Sequence, residues 1–243
     1  MDEQLALTSR VEAEHFWFRG FRAFITPLIE EAAAGRRGLR LLDCGCGTGH
    51  NLSLLTPHGR AYGFDLTLSG LLLARHNAGQ LARADITRIP FQSASIDLLT
   101  SFDVLQYVDD GAAFAEMARV LRPGGKAIIT AAALDVLRGG HAAEWPEVRR
   151  YTRGGIRQVA EQAGLQVERA AYLFGTIFPM MLGVRAWRRV FEGDGGEEDW
   201  EMNVPAAPVN EGLTLLLRAE AAITRYAPLA PAGSSVLLVA RKP

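Results

Sequence analysis

The sequence predicts an α/β fold, a doubly wound and mostly parallel sheet with helices on both faces. Three observations carry that prediction. Apolar segments of strand length alternate with helix-like segments from residue 39 to about residue 130, the pattern that right-handed crossovers wind into such a sheet. The segment 95–102 has central residues that are apolar without alternation, as expected of a strand covered on both faces. Successive strand ends present Asp43, Asp65, Asp85 and Phe102, and ligands of open α/β sheets lie outside those carboxyl ends.

The first strand, 39–43, delivers Asp43 into a loop in which Gly45, Gly47 and Gly49 alternate with other residues. Glycine tolerates positive φ and leaves no Cβ in the way, so this backbone is built to lie against a ligand. The spacing argues against a phosphate. A dinucleotide fingerprint needs glycine where His50 stands, and a P-loop needs Lys followed by Ser or Thr where the chain has His50-Asn51.

Composition narrows the rest. With 243 residues, 49% of them hydrophobic, the chain can bury a sizeable core, and a single domain carrying an insertion is expected. A net charge of -1 supplies no electrostatic footprint for nucleic acid. Cys44 and Cys46, the two cysteines, both sit in the glycine loop, too close to bridge without distorting it. They point to a reducing compartment, and no partner Cys or suitably spaced His completes a metal site. No apolar leader or bilayer-length run is present, so a soluble, cytoplasmic protein is expected.

The string Leu41, Asp43, Gly45, Gly47, Gly49 resembles the first motif of the class I S-adenosylmethionine-dependent methyltransferases. The resemblance spans about residues 14–172 plus the final strand. It includes the helix-to-strand string Arg119-Val120-Leu121-Arg122-Pro123-Gly124-Gly125-Lys126, read as a tight turn entering a fifth strand at 126–130. It implies a Rossmann-like sheet of seven strands whose last, 234–240, runs antiparallel at or near the edge. It also implies S-adenosyl-L-methionine as cofactor and S-adenosyl-L-homocysteine as product. Asp43 then answers the ammonium of the cofactor, directly or through water. Asp85 accepts from the adenine amine, the Ile86 backbone reaches a ring nitrogen, and Phe102 and Asp103 contribute backbone contacts. Cys46, Asn51 and Leu66 complete the loop and strand-end set. Asp65, about 20 residues beyond the loop, suits the two ribose hydroxyls, although a helix cap is the alternative reading.

Other elements follow in chain order. The segment 2–34 carries Glu14-His15-Phe16-Trp17-Phe18-Arg19, then Phe21, Arg22 and Phe24. This aromatic cluster either packs on the sheet or forms a lid, with Trp17 facing the sulfonium and Arg22 or Arg19 meeting the cofactor carboxylate. Helices are expected at 49–55, 69–77, 112–121, 154–163 and 210–225, and strands at 60–65, 81–86 and 165–172. Thr152 is a good N-cap for the fourth of those helices. Four parts result: a helical lid (1–34), a cofactor-binding core (35–174), a helical insertion or cap (175–233) and the final strand (234–243).

The segment after the fourth strand departs from the family's Leu-Glu-His-Val core, with Gln106 for the acid and Tyr107 for the histidine. Candidates for the acceptor base are therefore His15, His141, Glu144, Tyr107 and Tyr151. The function read from this is methyl transfer to an O or N atom of a small, partly hydrophobic acceptor by a monomer or homodimer, without metal or nucleic acid and with membrane contact not favoured. A non-catalytic cofactor-binding scaffold is the alternative, and a nucleotide-linked oxidoreductase a third.

Overall fold

The computed structural model describes residues 2–77, 80–138, 147–191, 203–226 and 230–243. Two helices, α1 (Asp2–Val11) and α2 (Phe16–Ala33), precede the first strand, β1 (Leu39–Cys44). The core continues through α3 (Leu52–Leu55), β2 (Gly59–Asp65), α4 (Leu68–Ala74), β3 (Gln80–Arg83), β4 (Ile96–Phe102), α5 (Asp110–Val120) and β5 (Leu121–Ala132). After it come α6 (Arg153–Gln162), β6 (Gln166–Leu173), α7 (Phe178–Phe191), α8 (Ala207–Thr224) and β7 (Ser235–Arg241). Among the described residues no helix is long and apolar enough to cross a membrane.

The seven strands form one sheet in the order β3-β2-β1-β4-β5-β7-β6. β1 pairs in parallel with both β2 and β4, so the strand order reverses beside it and opens a crevice at the carboxyl ends. β7 is antiparallel to both β5 and β6 and lies one strand in from the edge, which β6 occupies. Period-two alternation divides the core between the faces. Leu41 and Leu98 pack toward α2 and α8, while Leu42 and Leu99 pack with Phe114 and Met117 of α5.

The Pro-Gly-Gly string differs from expectation. Residues 121–125 belong to β5, and the β4–β5 register shifts between Ile96 and Leu98 to absorb them as a bulge. Gly124, at φ +76, supplies the conformation this needs. β3 is shorter than expected and ends at Arg83, leaving Asp85 to cap a single 3₁₀ turn, Ile86–Arg88. The first helix after the glycine loop is one turn, closed by a 3₁₀ turn over Thr56–His58.

α2 is fastened to α8. The buried Asn210 side chain accepts from Phe16 N at 2.8 Å and donates to Glu14 O at 2.9 Å. Arg19 makes a two-pronged pair with Glu211, and Gly20 permits close approach, since a Cβ there would stand 2.4 Å from Leu217 Cδ1. Phe21 and Phe24 are buried in the α2 face of the core, as the packing reading expects.

Candidate active site

The cleft is built from the glycine loop outward. Gly45, Gly47 and Gly49 all adopt positive φ (77°, 49° and 73°). Gly45 N and Cys46 N both donate to Phe64 O, at 2.8 and 2.9 Å, which locks the loop to β2. A Cβ on Gly45 would meet Val104 Cγ2 at 2.4 Å, and one on Gly49 would meet Ala74 Cβ at 2.7 Å. Gly49 therefore serves the packing of α4 under the loop and lies outside the cleft lining.

The cavity has a volume of about 350 Å³, within the range that encloses a small ligand. Gly45, Cys46, Gly47 and Asn51 line it, as do Asp65, Leu66, Asp85, Ile86, Phe102 and Asp103. The Asp65 carboxylate accepts from Gly47 N (2.8 Å), Thr67 N (2.8 Å) and Thr67 Oγ1 (2.6 Å). A carboxylate has about four lone-pair sites, so capacity for a further donor remains. Asp85 accepts from Thr87 N and Thr87 Oγ1, both at 2.8 Å and both on Oδ1. Trp17 and Arg22 of α2 form the opposite wall with Phe18 and Phe21. Trp17 stacks on Phe174 at 4.0 Å, and Phe21 meets Phe102 edge-on at 5.1 Å. Arg19 is not a lining residue and is held by Glu211, which leaves Arg22 as the arginine of this wall.

Asp43 is placed differently from expectation. It is buried behind the loop, outside the lining, and accepts from Thr100 Oγ1 at 2.7 Å. Burial pushes its carboxyl up to about 7, against the pull of that hydrogen bond. Because the folded state holds this proton to higher pH than the unfolded chain, Asp43 contributes stability at low pH that is lost as pH rises toward 7. Asp43→Asn is expected to remove that slope. In urea titrations from pH 4 to 7, stability of the variant should gain on the wild type by on the order of a few kcal/mol, then level off.

Asp103 follows β4 in the left-handed region, at φ +55, an uncommon conformation that Asp tolerates better than most residues. Burial pushes its carboxyl up to about 6, with Thr130 and Arg150 pulling the other way. Gln106 is turned into the core, where its Nε2 donates to Asp103 O at 2.9 Å and fixes the turn. Tyr107 lines the cleft, and burial raises its phenol, which keeps it protonated near neutrality.

The remaining base candidates lie elsewhere. His15 is buried and caps α2, its Nδ1 accepting from Trp17 N at 3.2 Å, and burial holds its imidazole below the usual range. Tyr151 is buried outside the lining, its hydroxyl donating to Asp110 Oδ2 at 2.8 Å, and burial raises it. His141 and Glu144 lie outside the described residues. Leu5 and Thr8 of α1, and Glu12 in the turn that follows it, reach the cleft although the sequence does not point to them. Their contacts with the loop span more than thirty residues, as in the bond from Thr48 Oγ1 to Glu12 Oε2, so no local pattern marks them.

Comparison with known proteins agrees with this geometry. A family model described as "Methyltransferase domain" matches residues 42–129. The demethylmenaquinone methyltransferase of Roseiflexus sp. (strain RS-1) is 34% identical over 175 residues, 66% of this chain and 68% of that protein. The chain belongs to the class I S-adenosylmethionine-dependent methyltransferases. The malonyl-[acyl-carrier protein] O-methyltransferase of Hahella chejuensis is 42% identical over 97 residues, 36% of this chain and 34% of that one. This methyltransferase spans less than two thirds of the length of several curated relatives that it matches. A structure of a Mesorhizobium loti S-adenosylmethionine-dependent methyltransferase matches the fold with a TM-score of 0.54 and 20% identity, covering 89% of this chain and 96% of that one.

S-adenosyl-L-methionine is the cofactor of this family. The residues present fit it: a positive-φ loop open to close approach, an Asp65 carboxylate with spare acceptor capacity, and aromatic faces opposite.

Proposed function

We propose that the chain transfers the methyl group of S-adenosyl-L-methionine to an O or N atom of a small, partly hydrophobic acceptor. One observation carries this reading: the glycine loop, Asp65, Asp85 and Phe102–Asp103 border one cleft whose facing wall is the aromatic side of α2. Asp65 would hold the ribose, Asp85 and Ile86 the adenine, and the loop with Arg22 the amino-acid tail. When bound, the cofactor supplies an electrophilic methyl on a sulfonium. The chain aligns the acceptor and excludes water through Trp17, Phe18 and Phe21, effects that supply several kcal/mol in aligned reactions. A proton leaving an acceptor hydroxyl or amine would pass to Asp103 Oδ, whose affinity for it lies near neutrality, or to His141 or Glu144. Tyr107 would act as a hydrogen-bond donor to the acceptor.

The Hahella relative, by its name an O-methyltransferase, supports transfer to oxygen. The four-part division at residues 34, 174 and 233 belongs to this reading, as do a cytoplasmic location, a monomer or homodimer, the absence of a nucleic-acid partner, and membrane-surface contact that is not favoured. Titration calorimetry with adenosylhomocysteine, followed by a labelled-methyl screen of hydroxyl and amine acceptors, tests it. Nucleoside binding with turnover is expected. Binding without turnover on any acceptor would favour a scaffold, and preference for NAD would favour an oxidoreductase.

A further inference from the structure

The amino-acid tail of the cofactor carries an ammonium and a carboxylate, and a cleft that buries both needs a countercharge for each. The expected anion, Asp43, stands behind the loop and already accepts the Thr100 hydroxyl. Asp65 and Asp85 line the nucleoside end, each holding bonds from neighbouring backbone and threonine groups. Asp103 stands on the β4 side of the cleft, close to Thr130.

Glu12 is left. It is 7% exposed and lines the cleft beside Thr48, and among the described residues its carboxylate accepts one hydrogen bond, from Thr48 Oγ1 to Oε2 at 2.9 Å. His50 Nδ1 stands 3.7 Å from Oε1, beyond hydrogen-bond distance. Burial and the neighbouring Arg22 hold that imidazole below its usual range, so it does not neutralise Glu12 near pH 7. Arg22 is the one cation among the described lining residues, and its Nη2 donates to Glu12 O at 2.7 Å, which sets the two side chains at one end of the cleft.

We infer that Glu12 and Arg22 form a two-sided clamp for the zwitterionic tail of the cofactor, Glu12 taking the α-ammonium and Arg22 the α-carboxylate. This rests on the cofactor reading above. It makes the turn after α1 part of the binding site, with Thr48 holding the Glu12 carboxylate in place. A carboxylate buried with a single hydrogen bond has acceptor sites to spare for an ammonium.

Calorimetry on the full chain with three probes tests it: adenosylhomocysteine, its α-deamino counterpart, which keeps the carboxylate, and methylthioadenosine, which has no tail. Glu12→Gln keeps an oxygen for the Thr48 hydroxyl and so preserves the seat of α1. It is expected to weaken adenosylhomocysteine about tenfold while leaving the deamino probe and methylthioadenosine within about twofold. Arg22→Gln is expected to weaken both tailed probes and spare methylthioadenosine. Equal affinity of wild type and Glu12→Gln for adenosylhomocysteine would overturn the clamp. So would an equal loss on methylthioadenosine, which would make Glu12 a structural tie only. A wild-type chain that binds none of the three nucleosides would instead overturn the cofactor reading.

Discussion

Glu147→Ala is expected to lower stability by about 3–5 kcal/mol, because it strands a buried guanidinium. Arg150 and Glu147 are 7% and 4% exposed in their side chains and meet through two hydrogen bonds of 2.7 and 2.9 Å. After truncation, Arg150 keeps a long bond from Nη1 to Ala133 O at 3.4 Å, too weak to replace a carboxylate. The loss should appear in urea as a lower midpoint with unchanged slope. Replacing both partners together, Glu147→Leu with Arg150→Met, should recover most of it, since an apolar pair of similar volume avoids the desolvation cost. If the double variant is as unstable as Glu147→Ala, the pair is not the cause.

Asp65→Ala is expected to weaken adenosylhomocysteine binding by about 10- to 100-fold, the range for losing hydrogen bonds to a charged acceptor. The carboxylate has two jobs that a single variant does not separate. It offers acceptor sites to the cleft, and it ties Gly47 and Thr67 together through three bonds. Thr67→Ala removes only the hydroxyl bond, so it should change affinity by no more than about threefold. Should Thr67→Ala match Asp65→Ala, the loss comes from a slackened loop rather than from a vacated ribose contact.

Legibility followed the range of the interactions. The path from β1 through the glycine loop to β2 could be read from the chain because apolar run, glycine and strand-end acid are all local signals. The lining positions of Asp65, Asp85 and Phe102 follow from the same alternation. Asp43 stands at the right strand end, yet pairing with Thr100 across the β1–β4 register turns it into the sheet, and register is a property of two strands. His15 is not a common capping residue, so its role at the head of α2 was hidden by its aromatic neighbours. The β5 bulge is not legible locally, because Pro-Gly-Gly normally marks a turn, whereas here Gly124 N and Gly125 O pair with the backbone of Lys242. Glu12 depended on a helix docking on a distant loop, which no window of sequence displays.

The place of β7 sets the order in which the molecule can be completed. It follows the other six strands in the sequence, yet among the described strands β7 is the one that pairs with β6. Likewise Asn210 closes onto Phe16 across 194 positions. A growing chain can therefore assemble the five strands from β3 to β5 early, with the nucleoside half of the cleft in outline. The aromatic wall stays unfastened until Asn210 and the rest of α8 have emerged from the ribosome. A ribosome-bound intermediate of this kind would display an open β5 edge and an unclosed crevice, a state in which chaperone binding matters most.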